Sequence, residues 1–298
     1  MATLYTHKTE NISKTWALML VFFLVVIALG WAVSFYYNSP GILFIAVVIA
    51  VGMNIFSYWF SDTVVIAMSG AKVAEGPEFI ELNRTVENLC ITAGLPKPKV
   101  YTIVDPAPNA FATGRNATHA SVAVTTGLLG MMNKQELEGV LAHELSHIGN
   151  RDMLVSTVAV VLVGFVTILA DFFLRSTLFG GRSRDNDERQ NPIVAVIAIV
   201  LVILAPIIAT LLQLAISRRR EFLADTSGVL LTRYPEGLAS ALKKIGSYSL
   251  PMQSASNATA HLYISNPFGA AAARGFITKL FSTHPPIEER VQALLADK

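Results

Sequence analysis

Two kinds of hydrophobic spacing alternate along these 298 residues. Continuous apolar runs predict helices with nonpolar surroundings on every side, and shorter runs at helical or strand period predict a half-solvated domain. The longest run, 15–61, contains no charged residue and no histidine. Asn38-Ser39-Pro40-Gly41 is a strong turn signal that divides it into two segments of roughly 20 residues, each enough to cross a bilayer. Trp16, Trp31, Tyr36, Tyr37, Tyr58 and Trp59 lie mostly near the segment ends, where an aromatic belt sits. Apolar stretches at 153–174 and 192–216 follow, the second with a kink expected at Pro206. The pattern predicts four transmembrane helices, the second pair reading alternatively as a hairpin that does not fully span.

Between and after these runs the period changes. A helix is expected from about Pro77 to Ala93, ended by Gly94 and Pro96, then strands at 99–104 and 121–125. Asn133 followed by Glu136 reads as a capping box opening a helix at about Lys134. Leu137, Val140, Leu141, Leu145 and Ile148 give that helix an apolar stripe, and Gly149 is its expected stop. Pro285-Pro286 introduce a last amphipathic helix to about Ala296, and 247–274, rich in Ser, Asn, Ala and Gly, reads as a surface loop or a cover over a cleft. The organisation is an N-terminal transmembrane hairpin (1–61), a first soluble piece (62–152), a second hydrophobic hairpin (153–216) and a second soluble piece (217–298). The fold class is α+β, mostly helical.

Composition sharpens the membrane reading: 53% of residues are hydrophobic, only 15% are charged, and mean hydropathy is +0.51. A net charge of +2 gives no ground for nucleic-acid binding, and no phosphate loop, cysteine-pair zinc ribbon or repeat appears. The single cysteine, Cys90, excludes an intrachain disulfide. The first apolar run is longer than a signal core and lacks a small-x-small cleavage site, so it reads as a retained anchor. The loop 38–41 carries no Lys or Arg, whereas Lys8, Lys14, Arg151 and Arg218-Arg219-Arg220 would share the opposite side. The positive-inside rule then puts both termini and the soluble mass in the cytoplasm, against one dissenting loop with Arg175, Arg182, Arg184 and Arg189.

The chemistry is concentrated in His143-Glu144-Leu145-Ser146-His147, a complete H-E-x-x-H on the capped helix. Positions i and i+4 share a helix face, so both imidazoles can reach one metal ion, with Glu144 beside the attacking water as general base. A catalytic zinc site needs a third protein ligand. His7, His119, His261, His284 and many carboxylates are available. Glu221 stands out, because it follows the fourth apolar segment and shares a helix face with Asp225 at i+4, one carboxylate to bind metal and the other to orient a histidine. His147 and Glu221 are separated by two hydrophobic segments, so they meet on one side of the membrane if both span or neither does.

Taken with two N-terminal hydrophobic helices, Glu221-Phe222-Leu223-Ala224-Asp225 after a hydrophobic pair, and Phe281-Ser282-Thr283-His284-Pro285-Pro286-Ile287-Glu288-Glu289-Arg290, the chain resembles the HtpX-type membrane zinc metalloproteases of the gluzincin group over essentially its whole length. The resemblance implies one Zn2+ held by His143, His147 and Glu221, with Glu144 as base and Asp225 supporting a ligand. It further suggests His284 as a donor to the developing oxyanion, and Asn109 and Ala110 on an edge strand as substrate contacts; the bland readings are helix punctuation and a turn anchored by Phe111. Arg290 reads as structural or solvated, and His119 as exposed. The implied setting is a multi-pass protein of a prokaryotic inner membrane that cleaves membrane or misfolded proteins in quality control. The third apolar run begins six residues after His147, which expects cleavage at the membrane face. The alternatives are an intramembrane protease, opposed by Lys134, Gln135, Glu136 and Glu138 on the metal helix, a prenyl-protein processing protease, and a membrane scaffold with structural zinc.

Overall fold

The computed structural model describes residues 4–179, 218–254, 256, 259–269 and 285–296. Two long helices, α1 (Leu4–Tyr36) and α2 (Pro40–Met68), form the N-terminal hairpin. Its turn uses Asn38 at φ 49°, the left-handed region that asparagine tolerates better than most residues, and Pro40 opens α2. Within them, Thr9–Phe35 and Pro40–Met68 are the two helices, among the described residues, long and apolar enough to cross a membrane. Leu20, Leu24, Phe35, Phe44 and Phe60 stand exposed on their outer faces, as lipid contact requires.

The third apolar stretch is helical in α6 (Asp152–Phe179), but its first turns do not face outward. Met153, Leu154, Val155, Val158, Ala159, Val160 and Leu162 are buried, enclosed by α1, α2 and the sheet. A helix apolar on all faces suits a protein core as well as a bilayer, and here its first turns, to Val166, build the interior whereas Ile168 is exposed. The stretch 192–216 lies outside the described residues.

Four strands form one sheet: β1 (Lys72–Val73), β2 (Lys99–Ile103), β3 (Ala110–Asn116) and β4 (His119–Thr125), in the order β1-β2-β4-β3. β2 runs parallel to β4, and the outer pairs are antiparallel, leaving β3 at an edge. The expected strands at 99–104 and 121–125 are β2 and β4, and His119 is exposed at the start of β4 as read. The short 3₁₀ turn Pro77–Phe79 leads into α3 (Ile80–Ala93), stopped by Gly94 in the left-handed conformation. Helices α4 (Thr126–Met131) and α5 (Lys134–Asn150) follow β4. Beyond α6 come α7 (Arg218–Thr232), α8 (Pro235–Ser247) and α9 (Ile287–Ala296).

The α5 stripe drives the packing: Val140, Leu141, Leu145 and Ile148 are buried with Leu82 and Val86 of α3, Val122 and Val124 of β4, and Leu238 and Leu242 of α8. Asn133 caps α5 with its side chain while Glu136 returns a bond to the Asn133 amide, the full capping box. Gly149 is not the stop. It stays helical, and the chain breaks at Arg151, held at φ 57°, where α5 and α6 meet at 82°. α7 crosses α5 closely because Gly228 has no side chain: a Cβ there would sit 3.0 Å from the His143 amide nitrogen. That approach carries Glu221, two turns earlier on α7, over His143 and His147 of α5.

Candidate active site

Helix α5 places His143 and His147 one turn apart, with ring centroids at 4.7 Å and planes nearly perpendicular. Their Nε2 atoms are 3.1 Å apart. Glu221 brings Oε2 to 3.7 Å from His143 Nε2 and Oε1 to 3.6 Å from His147 Nε2. Tetrahedral zinc with ligands at about 2.0–2.2 Å separates its ligand atoms by about 3.4 Å. The three side chains are therefore placed to hold one such ion after a small rotation of the Glu221 carboxylate, which meets the two imidazoles with different oxygens. His143, Glu144 and Glu221 are buried, and His147 is the most open of the group, at 15% side-chain exposure.

Both rings are held from behind. Asp225, one turn after Glu221, places Oδ1 2.9 Å from His143 Nδ1, and Asp152 places Oδ2 3.2 Å from His147 Nδ1. With each Nδ1–H donating to a carboxylate, both Nε2 lone pairs aim at one point, an arrangement that calls for a cation. Charge counts agree. With both imidazoles neutral and every carboxylate ionised, the buried Glu144, Asp152, Glu221 and Asp225 face, among the described residues, the buried cations Arg220 and Arg290, a deficit of two positive charges. Protons on His147 and Glu144 make up that deficit in part when no metal is bound. A divalent ion removes it.

The protonation of these groups follows from their surroundings. Burial and the neighbouring Arg290 lower His143 to about 4, against the pull of Asp225, so its ring is neutral. Burial also opposes a charge on His147, but the hydrogen bond to Asp152 and the charges of Glu221 and Asp152 hold its pKa up at about 9. Without metal, a proton on His147 Nε2 can thus be shared with His143 Nε2. A metal ion held by these nitrogens would have to displace it, so if that ion is zinc its affinity is expected to rise as pH rises toward 9, about tenfold per unit for the proton on His147. Calorimetry at about pH 8, above the pKa of Glu144 and below that of His147, in buffers of different ionisation enthalpy should show about one proton released per zinc bound.

Glu144 lies beside this cluster. Burial pushes its carboxyl up to about 7 and Glu221 adds to the rise, while His147, Arg290 and the backbone N–H of Ala112 oppose it. That Ala112 amide belongs to β3. The Asn109 carbonyl accepts from the Thr125 amide, so by alternation Ala110, Ala112 and Gly114 turn their backbone groups to the free edge. A cleft lies between Ala112 of this edge and the His143–His147–Glu221 cluster, lined also by Met153, Ser156, His261, Leu262 and Ile264.

Not every expected site residue is free for substrate. The Ala110 carbonyl accepts from the Ile264 amide at 2.9 Å, and the Asn109 side chain, 2% exposed, bonds Ser265 through both its oxygen and its nitrogen. Residues 259–265 thus line the cleft as an internal strap. Tyr263 packs edge-on against Phe111, with centroids at 5.1 Å. Over the described residues this segment is a cleft wall, because Tyr263 and Ile264 are buried apolar groups that a surface loop would expose. His284 lies outside the described residues.

Asp152 was missed by the sequence reading, and of the two readings given for Arg290, structural or solvated, the first holds. Arg290 is fully buried and forks onto Asp225, with Nε to Oδ2 at 2.8 Å and Nη2 to Oδ1 at 2.6 Å; its Nη1 donates to the Ile264 carbonyl. It shares the stripe of Ile287, Val291 and Leu294 on α9, and an arginine on an apolar stripe was the available signal. Asp152 gave no periodic signal, since it opens a new helix at a break.

Comparison with known proteins gives the same direction. Residues 78–298 match peptidase family M48. The protease HtpX homologs of Caldanaerobacter subterraneus (46% identical) and Thermoanaerobacter pseudethanolicus (48%) each align with 98% of this chain and 97% of their own length. That of Pyrococcus furiosus is 46% identical over 93% of both chains. Among solved structures, S. mikatae Ste24p shares the fold at TM-score 0.51 and 18% identity, over 98% of this chain and 67% of that one. Three potential metal ligands brought together on two crossing helices and relatives alike over almost the full length converge on one assignment: the chain belongs to peptidase family M48 and is a membrane metalloprotease of the HtpX type.

Proposed function

We propose that this protease holds one zinc ion through His143, His147 and Glu221 and hydrolyses peptide bonds of membrane or misfolded proteins at the cytoplasmic face of a prokaryotic inner membrane, in membrane-protein quality control. The observation that carries the reading is the convergence of these three ligand atoms within 4.8 Å, beside Glu144 and the free edge of β3. Bound there, zinc supplies a Lewis acid that polarises the scissile carbonyl and acidifies the attacking water. Glu144 takes the proton of that water and delivers it to the leaving amine. Asp225 and Asp152 keep the imidazoles of His143 and His147 in the tautomer that offers Nε2. His284 retains the role of donor to the developing oxyanion.

Substrate is proposed to add as a strand to β3 from Ala112 onward. Asn109 and Ala110 become substrate contacts where Ile264 and Ser265 release them; otherwise they position the strap. The membrane side is argued from charge and from packing. The N-terminal end of α1 touches Asn150 and Asp152 at the end of the metal helix, which favours a common side for N-terminus and site. The loop at 38–41, free of Lys and Arg, is then outside.

Glu221→Ala tests the ligand set. Detergent-purified protein is expected to lose stoichiometric zinc and, with it, cleavage of casein and of a membrane-protein substrate. Zinc retained at wild-type affinity in that variant would remove Glu221 from the set and make His284 the next candidate.

A further inference from the structure

The N-terminal membrane helix reaches into the catalytic domain at one polar residue. Asn11 lies near the start of the span Thr9–Phe35 and is only 2% exposed. Its Nδ2 donates to Asp152 Oδ1 at 2.6 Å and to the Asn150 carbonyl at 3.2 Å. Its Oδ1 accepts from Arg220 Nη1 at 3.2 Å, and the same Nη1 lies 3.6 Å from Asp152 Oδ1. The other oxygen of Asp152 holds His147 Nδ1 at 3.2 Å. Four parts of the chain therefore meet at one carboxylate: α1, the break between α5 and α6, the start of α7 beside Glu221, and His147.

We infer that Asn11 of the membrane helix, with Arg220, is a positioning residue of the metal site, holding Asp152 in the rotamer that orients His147. The inference rests on His147 being a metal ligand. A carboxylate at the head of α6 has a local use too, since it meets the positive end of the helix dipole. That use is indifferent to which oxygen faces which neighbour. Here the two oxygens are divided: one is engaged by Asn11 and approached by Arg220, and the other is left to the imidazole. Asn11 is also poorly suited to a purely anchoring role. An apolar residue would pack against α6 as Met19 and Phe22 do further along α1, without the cost of burying an amide.

The test is zinc affinity of the full-length protein in detergent, measured by competition with a chromophoric chelator, and the visible spectrum of the Co2+ form. Asp152→Asn is expected to raise the zinc Kd about 10–100-fold, the usual effect of losing a carboxylate behind a ligating histidine. Asn11→Leu is expected to raise it about tenfold and to change the Co2+ spectrum in the same sense. The double variant should lose little beyond Asp152→Asn alone, because Asn11 acts through that carboxylate. Phe22→Leu, which disturbs α1 packing away from the site, should leave Kd and spectrum at wild type. Asn11→Asp keeps the shape but removes the amide donor, and serves if the leucine variant does not fold. A wild-type Kd in folded Asn11 variants, or additive losses in the double variant, would overturn the inference while leaving the metal assignment standing. His147→Ala separates the two: zinc bound at wild-type affinity there would remove the ligand itself and the inference with it.

Discussion

Glu144→Gln will leave zinc content at the wild-type level and lower peptide-bond cleavage by at least about 10²–10⁴-fold, the contribution of a well-placed general base. The two halves of that result have separate causes. Glu144 is not among the three side chains whose donor atoms converge, so its amide does not change the ligand set. Glutamine matches its size in a fully enclosed position, and the Ala112 amide can still meet a side-chain oxygen. What is lost is the capacity to take a proton. On the proposed mechanism the same group also sets the acid side of the pH profile. Burial pushes the Glu144 carboxyl up to about 7 with protein neighbours alone, and an adjacent cation favours the carboxylate and brings it down. Since the base works deprotonated, kcat/KM falls as pH drops through that pKa, and the acid limb lies below 7. A metal-replete Gln variant that still cleaved casein at wild-type rate would displace Glu144 from the mechanism.

Arg290→Met will be the most destabilising single change near the site, at about 3–5 kcal/mol, because it leaves a buried carboxylate without its counter-charge. Arg290 is fully buried, raised in pKa by Asp225 and Glu221 against the cost of its burial, and bonded to Asp225 through two nitrogens. Asp225 is correspondingly held below the ordinary carboxylate range by Arg290 and His143, though burial pushes the other way. Arg290→Lys should recover little, since one ammonium cannot reproduce the planar fork or the added bond to the Ile264 carbonyl. Arg290→Met combined with Asp225→Asn should recover much of the loss, because the unpaired charge goes with it. Thermal unfolding of the zinc-free proteins in detergent is the measurement. A double variant no more stable than Arg290→Met would show that packing volume, not charge, sets the cost.

Where local chemistry decides structure, the sequence was easy to read. The Asn133–Glu136 box began α5 at the expected residue, and Pro40 and Pro286 marked helix starts by removing an amide that needs no partner there. The i, i+4 rule placed both histidines on one face, and Glu221 with Asp225 on another. Contacts between distant parts carried no such mark. Nothing local tells that Asn11 meets Asp152, or that Ile264 closes on Ala110. Gly149 misled for a related reason: glycine permits a helix stop but does not impose one, and the break came at Arg151, where the 82° turn into α6 is needed. The apolar run at 153–174 was ambiguous in principle, since core and lipid select the same side chains.

Strand addition at the edge of β3, as proposed above, would have a consequence for selectivity. An acceptor groove built from the amides and carbonyls of one strand reads the backbone of its guest, and every residue but proline offers that backbone equally. A segment already paired in a helix or sheet has spent those groups and cannot present them. Discrimination at such a groove therefore tracks the folding state of the client more than its side chains. On that proposal a protein would become a target by fraying, and cease to be one by refolding.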